Sequence, residues 1–365
     1  MDTTDPAIRF DHRGVCNHCH DYDRNAAEQL HEGEEGIAKL HAIAERIRAE
    51  GEGKPYDCVI GVSGGVDSSY VAWKVKELGL RPIAVHLDNG WDSELAVKNI
   101  ENIVDRLEID LRTHVLDWEE FRDLQVAFLR ASTPDSEIPS DHAILAVLLR
   151  TVQQLGLRTI ISGVNLRTES HLPPAWSQGH LDSRYIRAVH AKFGKRPLRT
   201  FPLIGFWKAR SFRTGGVTVD LLNYLDVTRA EALDTLKREL GWQSYGGKHH
   251  ESIYTRFYQG YILPRKFGFD KRKSHLSSLI CAGQLSRDDA LEELEHEPYA
   301  RELQEADREY VVKKLGLTDS EFQEIMDTPP RSFWDFDSYA QMTRGQGYIR
   351  ARSVYRTLMK ARTAR

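Results

Sequence analysis

The chain has 365 residues and a mass of 41.8 kDa, which is enough for two or three domains. Hydrophobic residues make up 41% and charged residues 28%, proportions that are typical of soluble globular proteins and exclude a wholly disordered chain. The 50 Lys and Arg nearly balance the 54 Asp and Glu, for a formal net charge of −4. That balance argues against a protein whose whole surface binds nucleic acid.

No segment of the sequence predicts a membrane span or a secretion signal. The longest apolar run, residues 143–149, is far shorter than the roughly 20 residues that cross a bilayer. The N-terminal residues MDTTDPAIRFDHRG are charged and lack the apolar centre of a signal peptide. Four cysteines are too few for a disulfide scaffold. We therefore expect a cytoplasmic protein with no membrane partner.

Residues 1–53 are predicted to form a Cys-containing loop and one helix. The helix is indicated by apolar residues spaced three or four apart, namely Ile37, Leu40, Ala44 and Ile47. Gly51, Gly53 and Pro55 then mark a linker.

Cys16 and Cys19 have the C-x-x-C spacing of half a structural zinc site, since two thiolates on one turn can occupy adjacent tetrahedral positions. The sequence does not choose the other two ligands among His12, His18, His20, Cys281 and a C-terminal histidine. Attachment of c-type haem would require export. A redox pair that opens a helix fits less well, because no strand of an α/β unit precedes it. Cys58 is expected to be a buried apolar residue.

Residues 54–205 predict a doubly wound α/β domain. Apolar runs at 58–62, 82–87, 111–116 and 158–164 alternate with amphipathic segments, as in a parallel sheet with helices on both faces. A further apolar run covers 143–149. Ligands of such sheets bind at the carboxyl ends of the strands.

The strongest motif is the loop between the first strand and the following helix. Adjacent glycines let the backbone turn sharply and approach a ligand, and backbone N–H groups at the helix start then converge on an anion. An acidic residue in such a loop implies Mg²⁺ as well as phosphate. The loop residues concerned are Ser63, Gly64, Gly65, Asp67, Ser68 and Ser69. An ordinary Gly-rich turn with a Ser or Asp cap is the competing interpretation.

The sequence SGGVDS (63–68) resembles the pyrophosphate-binding loop of the N-type ATP pyrophosphatases, which include asparagine, NAD and GMP synthetases and several tRNA-modifying enzymes. The resemblance implies ATP cleavage between the α and β phosphates, with pyrophosphate and Mg²⁺ held by this loop. It also implies nucleotide contacts at two other strand ends: Asp88 and Asn89 after the second strand, and Gly163, Asn165 and Glu169 after the fourth. A tight turn at 88–90 and a surface loop at 162–165 are the alternatives.

Residues 206–365 are predicted to be mostly helical, with helices at 228–240, 286–295 and 319–327, the first two preceded by Thr or Ser as N-caps. Aromatic and basic residues follow a Gly-Gly-Lys-His-His motif at 246–250. The aromatic residues are Tyr254, Phe257, Tyr258 and Tyr261, and the cations are Arg256, Lys266, Lys271, Arg272 and Lys273. Both a basic aromatic surface for an anionic substrate and a solvated face over an aromatic core fit this pattern.

Three segments together resemble the N-acetyl sugar amidotransferase family: DTTDPAIRFDHRGVCNHC, SGGVDS and YGGKHHES…TRFYQGYILPRKFGFDKRKSHLSSLI. The resemblance extends from Asp2 to about Tyr299. It implies that ATP adenylates an acetamido or carboxyl oxygen of a nucleotide-linked sugar and that ammonia then replaces AMP, in O-antigen (lipopolysaccharide) or nonulosonic acid biosynthesis. A separate glutaminase subunit would supply the ammonia, with free ammonium as the alternative.

This resemblance suggests roles for several residues. Asp67, Ser63, Lys248 and Arg256 are the catalytic candidates, with the two cations stabilising phosphate charge. His249, Glu251, Lys266, Lys271 and Arg272 are the candidates for binding the sugar substrate. ATP, Mg²⁺ and a structural Zn²⁺ are the expected cofactors.

Two other functions compete with this one. A tRNA-modifying adenylating enzyme of the sulfurtransferase type would use the same loop, and the basic tail after Asp337 would meet RNA. Against it stand the near-neutral charge and the lack of a second C-x-x-C. A solvated amphipathic helix with Val354, Leu358 and Met359 packed inward is the more ordinary explanation of the tail. A nucleotide-sensing protein without turnover is the third hypothesis.

Overall fold

A computed structural model describes residues 1–208, 217–245 and 250–344. Its strands, numbered in chain order, are β1 Cys58–Gly61, β2 Pro82–Asp88, β3 Asp110–Val115, β4 Thr159–Ser162 and β5 Val217–Asp220. No helix in these residues is both long enough and apolar enough to cross a membrane.

The α-helices of the described residues are likewise numbered in chain order. They are α1 Asn17–Gln29, α2 Gly33–Glu50, α3 Val66–Glu77, α4 Glu94–Leu107, α5 Trp118–Ala131, α6 Ile138–Gln154, α7 Leu166–Glu169, α8 Ser183–Phe193, α9 Arg229–Leu240, α10 Ile253–Phe257, α11 Arg272–Cys281, α12 Arg287–Glu295, α13 Arg301–Lys314, α14 Asp319–Asp327 and α15 Tyr339–Arg344. Helix α10 continues directly into a π-helix, Tyr258–Phe267.

The five strands form one parallel sheet in the order β3-β2-β1-β4-β5. The chain moves outward from β1 in one direction and then returns to its other side at β4, so the order reverses between β1 and β4. This confirms the predicted doubly wound α/β fold. In such a sheet the crevice at the reversal point, beyond the carboxyl ends of the strands, is where ligands bind.

Alternating strand residues supply two separate hydrophobic cores, one on each face of the sheet. Val59, Ile83 and Val85 pack with α5, α6 and α8, while Ile60 and Ala84 pack with α2, α3, α4 and α9. Buried residues of α10, α13 and α14 belong to the first of these cores. The C-terminal helices are therefore packed against the α/β sheet itself.

Local signals predicted the helix ends well. Thr228 caps α9 and Thr318 caps α14, each in a capping box with a Glu three residues on, and Ser286 caps α12. Leu40, Ala44 and Ile47 are buried on α2 as predicted, whereas Ile37 is 50% exposed. The inward position predicted for Ile37 is therefore wrong.

Three elements differ from the sequence prediction. Residues 17–29, expected to be loop, form helix α1, and the apolar run 143–149 lies inside helix α6. Strand β5 lies beyond residue 206, where a mostly helical region with no assigned strand was expected, and pairs with β4 at the edge of the sheet. The domain boundaries at 53 and 205 stay predictions.

Candidate active site

The loop between β1 and α3 has the backbone geometry that its glycines predicted. Gly64 has φ +76°, and a Cβ atom added there would lie 2.6 Å from the carbonyl oxygen of Ala96. Both features exclude a side chain at this position. The indole N–H of Trp242 donates to the Gly64 carbonyl at 2.9 Å and fixes the turn from the other side.

The serine hydroxyls hold the loop against the start of α3. Ser63 Oγ lies 3.1 Å from Ser68 Oγ, and Ser69 Oγ donates to the Gly65 carbonyl at 2.6 Å. Helix α3 begins at Val66 with Gly65 as its N-cap, so its first N–H groups and its positive dipole end face the loop. The predicted Ser and Gly residues therefore form one turn, and its geometry suits an anion.

Two carboxylates lie beside this turn. Asp67 is in the first turn of α3, and a Cβ atom on Gly65 would come within 3.1 Å of Glu251 Oε1 and 3.4 Å of the Tyr245 hydroxyl. Burial raises the pKa of Tyr245, and the charges of Glu251 and Asp67 raise it further. Asp67 and Glu251 are far apart in the sequence, but both raise the pKa of the Tyr245 hydroxyl next to the loop.

The end of β4 closes the other side of the turn. A Cβ atom on Gly163 would lie 3.3 Å from the backbone nitrogen of Ser68, so glycine permits close packing here. Asn165 accepts a hydrogen bond from the Arg167 N–H at 3.0 Å and caps the short helix α7, which ends at Glu169. The side chain of Asn165 is thereby engaged in capping, and its contact with nucleotide stays a prediction.

The end of β2 forms the tight turn that was weighed against a nucleotide contact. Asp88 Oδ1 accepts from the Gly90 N–H at 2.8 Å, and Asn89 Oδ1 accepts from the Trp91 N–H at 3.2 Å. Asn89 also donates to Ser140 Oγ at 3.2 Å. Both side chains shape the loop, which lies at the carboxyl edge of the sheet.

His86 connects two strand ends and was not predicted from the sequence. Its Nδ1 lies 3.0 Å from the Val62 carbonyl oxygen, and its Nε2 lies 3.2 Å from Asp92 Oδ2. Burial lowers the pKa of His86, but the hydrogen bond and charge of Asp92 outweigh it and raise the pKa overall. His86 therefore connects Val62, just before the turn at Gly64 and Gly65, to the loop after β2.

A cavity of about 370 Å³ lies between α7, α10 with its π-helix, and α11. Basic side chains dominate its charged lining. The lining includes Thr168, Arg229, His250, Arg256, Gln259, Asp270, Lys271, Arg272, His275 and Glu293. Thr168 of α7, which follows the end of β4, and His250, which precedes Glu251, both line the cavity, so the cavity lies near the turn at Gly64 and Gly65.

A charged cluster at the start of α6 was also missed by sequence reasoning. His180 Nε2 lies 3.4 Å from both Asp135 Oδ2 and Asp141 Oδ2, and 2.8 Å from Ser177 Oγ. Burial lowers the pKa of His180, but the hydrogen bond to Asp135 and the charges of both Asp residues raise it to about 9. Partial burial and the charges of Asp135 and Glu137 raise the pKa of Asp141 above its usual value, although its side chain is 50% exposed. His180 lies far along the chain from Asp135 and Asp141, so no local sequence pattern could predict this cluster.

Comparisons with known proteins bear on the C-terminal part of the chain. Residues 251–349 match the family model described as "LPS biosynthesis protein WbpG-like, C-terminal domain". We call this segment the WbpG-like domain, after the family model that it matches. For residues 251–349, the match confirms the family resemblance that the sequence predicted.

Two further proteins are similar to the chain. An uncharacterized protein of Methanocaldococcus jannaschii, MJ1599, is 25% identical over 255 residues, which cover 70% of this chain and 78% of that protein. An NH3-dependent NAD synthetase from Campylobacter jejuni, solved with a nitrate ion, is 14% identical, with a TM-score of 0.29 over 42% of this chain and 72% of that one.

The WbpG-like domain begins at Glu251 and provides most of the cavity wall. Its predicted cations are largely paired. Arg256 makes a bidentate contact with Asp307 at 2.7 and 2.8 Å, and Arg272 pairs with Asp270 at 2.7 Å. Lys271 lies 3.9 Å from Glu137 Oε2 and lines the cavity.

Lys266, by contrast, lies outside the cavity lining. Its ammonium group donates to the carbonyls of Ile325 at 2.6 Å and Thr328 at 2.5 Å, at the end of α14. Burial lowers the pKa of Lys266 to about 8. These contacts give Lys266 a structural function within the WbpG-like domain, and no geometry supports its predicted contact with substrate.

The aromatic residues of the WbpG-like domain form a core rather than a binding surface. Tyr254, Phe257 and Tyr258 are each exposed by 2% or less. The Tyr254 hydroxyl lies 2.6 Å from Ser136 Oγ, which connects the domain to the segment before α6. Of the two interpretations of this run, the aromatic core is correct. Lys248 and His249 lie outside the described residues.

The cysteines meet at the contact between α1 and the WbpG-like domain. Cys16 Sγ lies 3.5 Å from Cys19 Sγ, and burial and the nearby Cys19 thiol raise the pKa of Cys281, at the end of α11. Across residues 1–208, 217–245 and 250–344, no group of three or more His, Cys, Asp or Glu side chains is arranged to hold a metal ion. The zinc expected at Cys16 and Cys19 therefore has no support in that part of the chain.

Proposed function

We propose that this protein is an ATP-dependent amidotransferase that modifies a nucleotide-linked sugar. An acetamido or carboxyl oxygen of the sugar attacks the α-phosphate of ATP, forming a new P–O bond as pyrophosphate leaves. Ammonia then attacks the activated carbon and AMP departs with the former sugar oxygen, leaving an acetamidino or amide group. The product would enter lipopolysaccharide or nonulosonic acid biosynthesis.

The observation that carries the proposal is the turn at Gly64 and Gly65. It combines a positive φ, hydroxyl groups and a helix start directly after the central strand β1, at the point where strand order reverses. Backbone N–H groups and the helix dipole stabilise the negative charge that develops on departing pyrophosphate. The loop thus binds and orients the β and γ phosphates.

The carboxylates beside the turn fit Mg²⁺, which prefers oxygen ligands and retains several waters when one or two carboxylates bind it. Asp67 would hold the ion, and Glu251 lies near enough to the loop to share it. Bound Mg²⁺ supplies neutralisation of phosphate charge. Asp67 and Glu251 in turn keep the phosphates at a fixed position relative to the end of β1.

The cavity next to α7 is where we place the sugar substrate. Arg229, Lys271 and Arg272 give its wall a positive potential that suits the diphosphate of a nucleotide sugar. Four carboxylates, including Glu137 and Glu169, hold the pKa of Lys271 above its usual range despite burial, so this lysine remains charged. A charged lysine at the inner wall would orient an anionic substrate toward the loop.

Ammonia is proposed to come from a separate glutaminase subunit, since the sequence suggests no glutaminase of its own. The zinc site expected at Cys16 and Cys19 stays a prediction. Measuring the zinc content of the purified protein would test it. Neither point affects the adenylation step.

The test combines the protein, ATP, Mg²⁺ and ¹⁵N-ammonium with a panel of nucleotide-linked acetamido and carboxyl sugars. We expect pyrophosphate release that depends on one of these sugars, and a sugar product that carries ¹⁵N by mass spectrometry. Asp67→Asn serves as the inactive control. Release stimulated by tRNA, and not by any sugar, would instead support the modifying enzyme, and binding of ATP without release would support the sensor.

A further inference from the structure

We propose that Lys314, at the end of α13, is a positioning residue that fixes the loop after β2 for nucleotide binding. This inference rests on the proposed function, which places ATP at the carboxyl edge of the sheet. Lys314 lies in the WbpG-like domain, but its side chain reaches residues 88–92 of the α/β sheet. No sequence pattern links the two segments.

The Lys314 ammonium group sits among three aromatic rings. Its Nζ lies 4.9 Å from the ring centroid of Trp91, 5.2 Å from that of Trp118 and 5.2 Å from that of Tyr310. Each distance is within the roughly 6 Å range of a cation–π contact. Trp91 is 1% exposed and Tyr310 43% exposed, so the ammonium group is desolvated on the Trp91 side. A neutral side chain would lose this attraction.

The same ammonium group also completes the turn of the loop. It donates to the carbonyl oxygen of Gly90, and to the Tyr310 hydroxyl at 2.9 Å. Gly90 has φ +80°, and a Cβ atom there would meet the Trp118 ring at 3.0 Å, so the backbone is held tightly on both sides. Lys314 therefore satisfies the Gly90 carbonyl, while the Asp88 and Asn89 side chains accept from the N–H groups of Gly90 and Trp91 in the same turn.

The fixed loop is connected to the phosphate turn by three further contacts. Ile253 N–H donates to the Trp91 carbonyl at 2.9 Å, and Ser93 N–H donates to the Glu251 carbonyl at 2.9 Å. Asp92 binds His86, which contacts Val62 at the start of the turn. A loop that moves would displace Glu251 and His86 together, so we expect nucleotide binding to suffer more than binding in the cavity.

The test compares Lys314→Met with Lys313→Met, the same substitution at the exposed neighbouring position of α13. For Lys314→Met we expect faster hydrogen exchange in residues 88–93 and a rise of about tenfold in KM for ATP. KM for the sugar should stay within about twofold of wild type, and kcat should fall by a smaller factor than KM for ATP rises. Lys313→Met should match wild type throughout, and Lys314→Arg, which keeps the charge, should fall between the two.

Two results would overturn the proposal: exchange and KM for ATP in Lys314→Met equal to those of Lys313→Met, or an equal loss in kcat and both KM values that follows the melting temperature. If Lys314→Met does not fold, Lys314→Arg carries the comparison, with an intermediate KM for ATP expected and a wild-type value contradicting the role. If the wild-type protein neither binds nor cleaves ATP, the proposed function fails, and the exchange data still decide whether Lys314 holds the loop.

Discussion

Glu251 lies against Gly65, so close that a single methyl group on the glycine would come within 3.1 Å of Glu251 Oε1. The first residue of the WbpG-like domain therefore touches the turn that follows the first strand of the sheet. The carboxyl edge of the α/β sheet and the start of the WbpG-like domain therefore lie side by side, and a substitution in one is expected to affect the other.

Asp67→Asn is expected to abolish pyrophosphate release while leaving the fold intact. The substitution keeps the side-chain volume but removes the negative charge that would hold Mg²⁺ beside the phosphates. Release is measured with a coupled phosphate assay, and circular dichroism reports the fold. Near-normal turnover in this variant would refute the metal-binding role of Asp67.

Gly64→Ala is expected to destabilise the protein by about 1–3 kcal/mol, because it forces a side chain into a left-handed conformation and against backbone atoms. The added Cβ would lie 2.6 Å from the Ala96 carbonyl oxygen, which belongs to helix α4 and cannot rotate away. Chemical denaturation measures the change in the free energy of unfolding.

Gly205→Ala is the matched control for this effect. Nothing lies within 4 Å of a Cβ atom at Gly205, and its φ is not in the left-handed region. We expect its free energy of unfolding to equal that of wild type within about 0.5 kcal/mol. Equal stability of the two variants would show that the Gly64 turn is not constrained in this way.

The sequence predicted those features whose cause is local. Helix caps at Thr228 and Ser286, the short apolar segments that form the strands, and the glycine turn at Gly64 each depend on residues within a few positions of one another. Strand β5 was not predicted, because a segment of four residues is too short to show a clear periodic pattern. Its Val-Thr-Val sequence nevertheless favours a strand.

Contacts between distant residues could not be predicted. The sequence shows that Arg256 is basic but not that Asp307, 51 positions later, neutralises it. It equally hides that Lys266 binds the end of α14, and that Lys314 is surrounded by Trp91 and Trp118. Which cations remain available to a substrate is decided by packing, and packing is not local.

Arg256 is expected to contribute mainly to the stability of the fold, through its pairing with Asp307. It forms a buried bidentate pair with Asp307, the side chains being 14% and 6% exposed. Removing one partner leaves an uncompensated buried charge, so Arg256→Met and Asp307→Asn should each lower the free energy of unfolding by about 3 kcal/mol or more. The double variant should lose less than the sum of the two. Additive losses, with turnover abolished only in Arg256→Met, would instead favour its predicted catalytic role.

The cluster around His180 makes stability depend on pH in a definite direction. The pKa of His180 is about 9 in the folded protein, because Asp135 and Asp141 favour its charged form more strongly than burial opposes it. The ordinary value for histidine is 6.5. The folded state therefore binds this proton more tightly than the unfolded state does. The resulting stabilisation is complete below pH 6.5 and is lost as the pH rises through about 9.

Removal of the His180 imidazole should therefore weaken the dependence of the melting temperature on pH. We expect the melting temperature of wild type to fall between pH 6.5 and pH 9.5, and that of His180→Gln to fall less over the same range. His41→Gln is the control, since His41 is an exposed histidine on α2, and it should reproduce the wild-type slope. Parallel slopes for wild type and His180→Gln would mean that the carboxylates of Asp135 and Asp141 do not hold the imidazolium in the folded state.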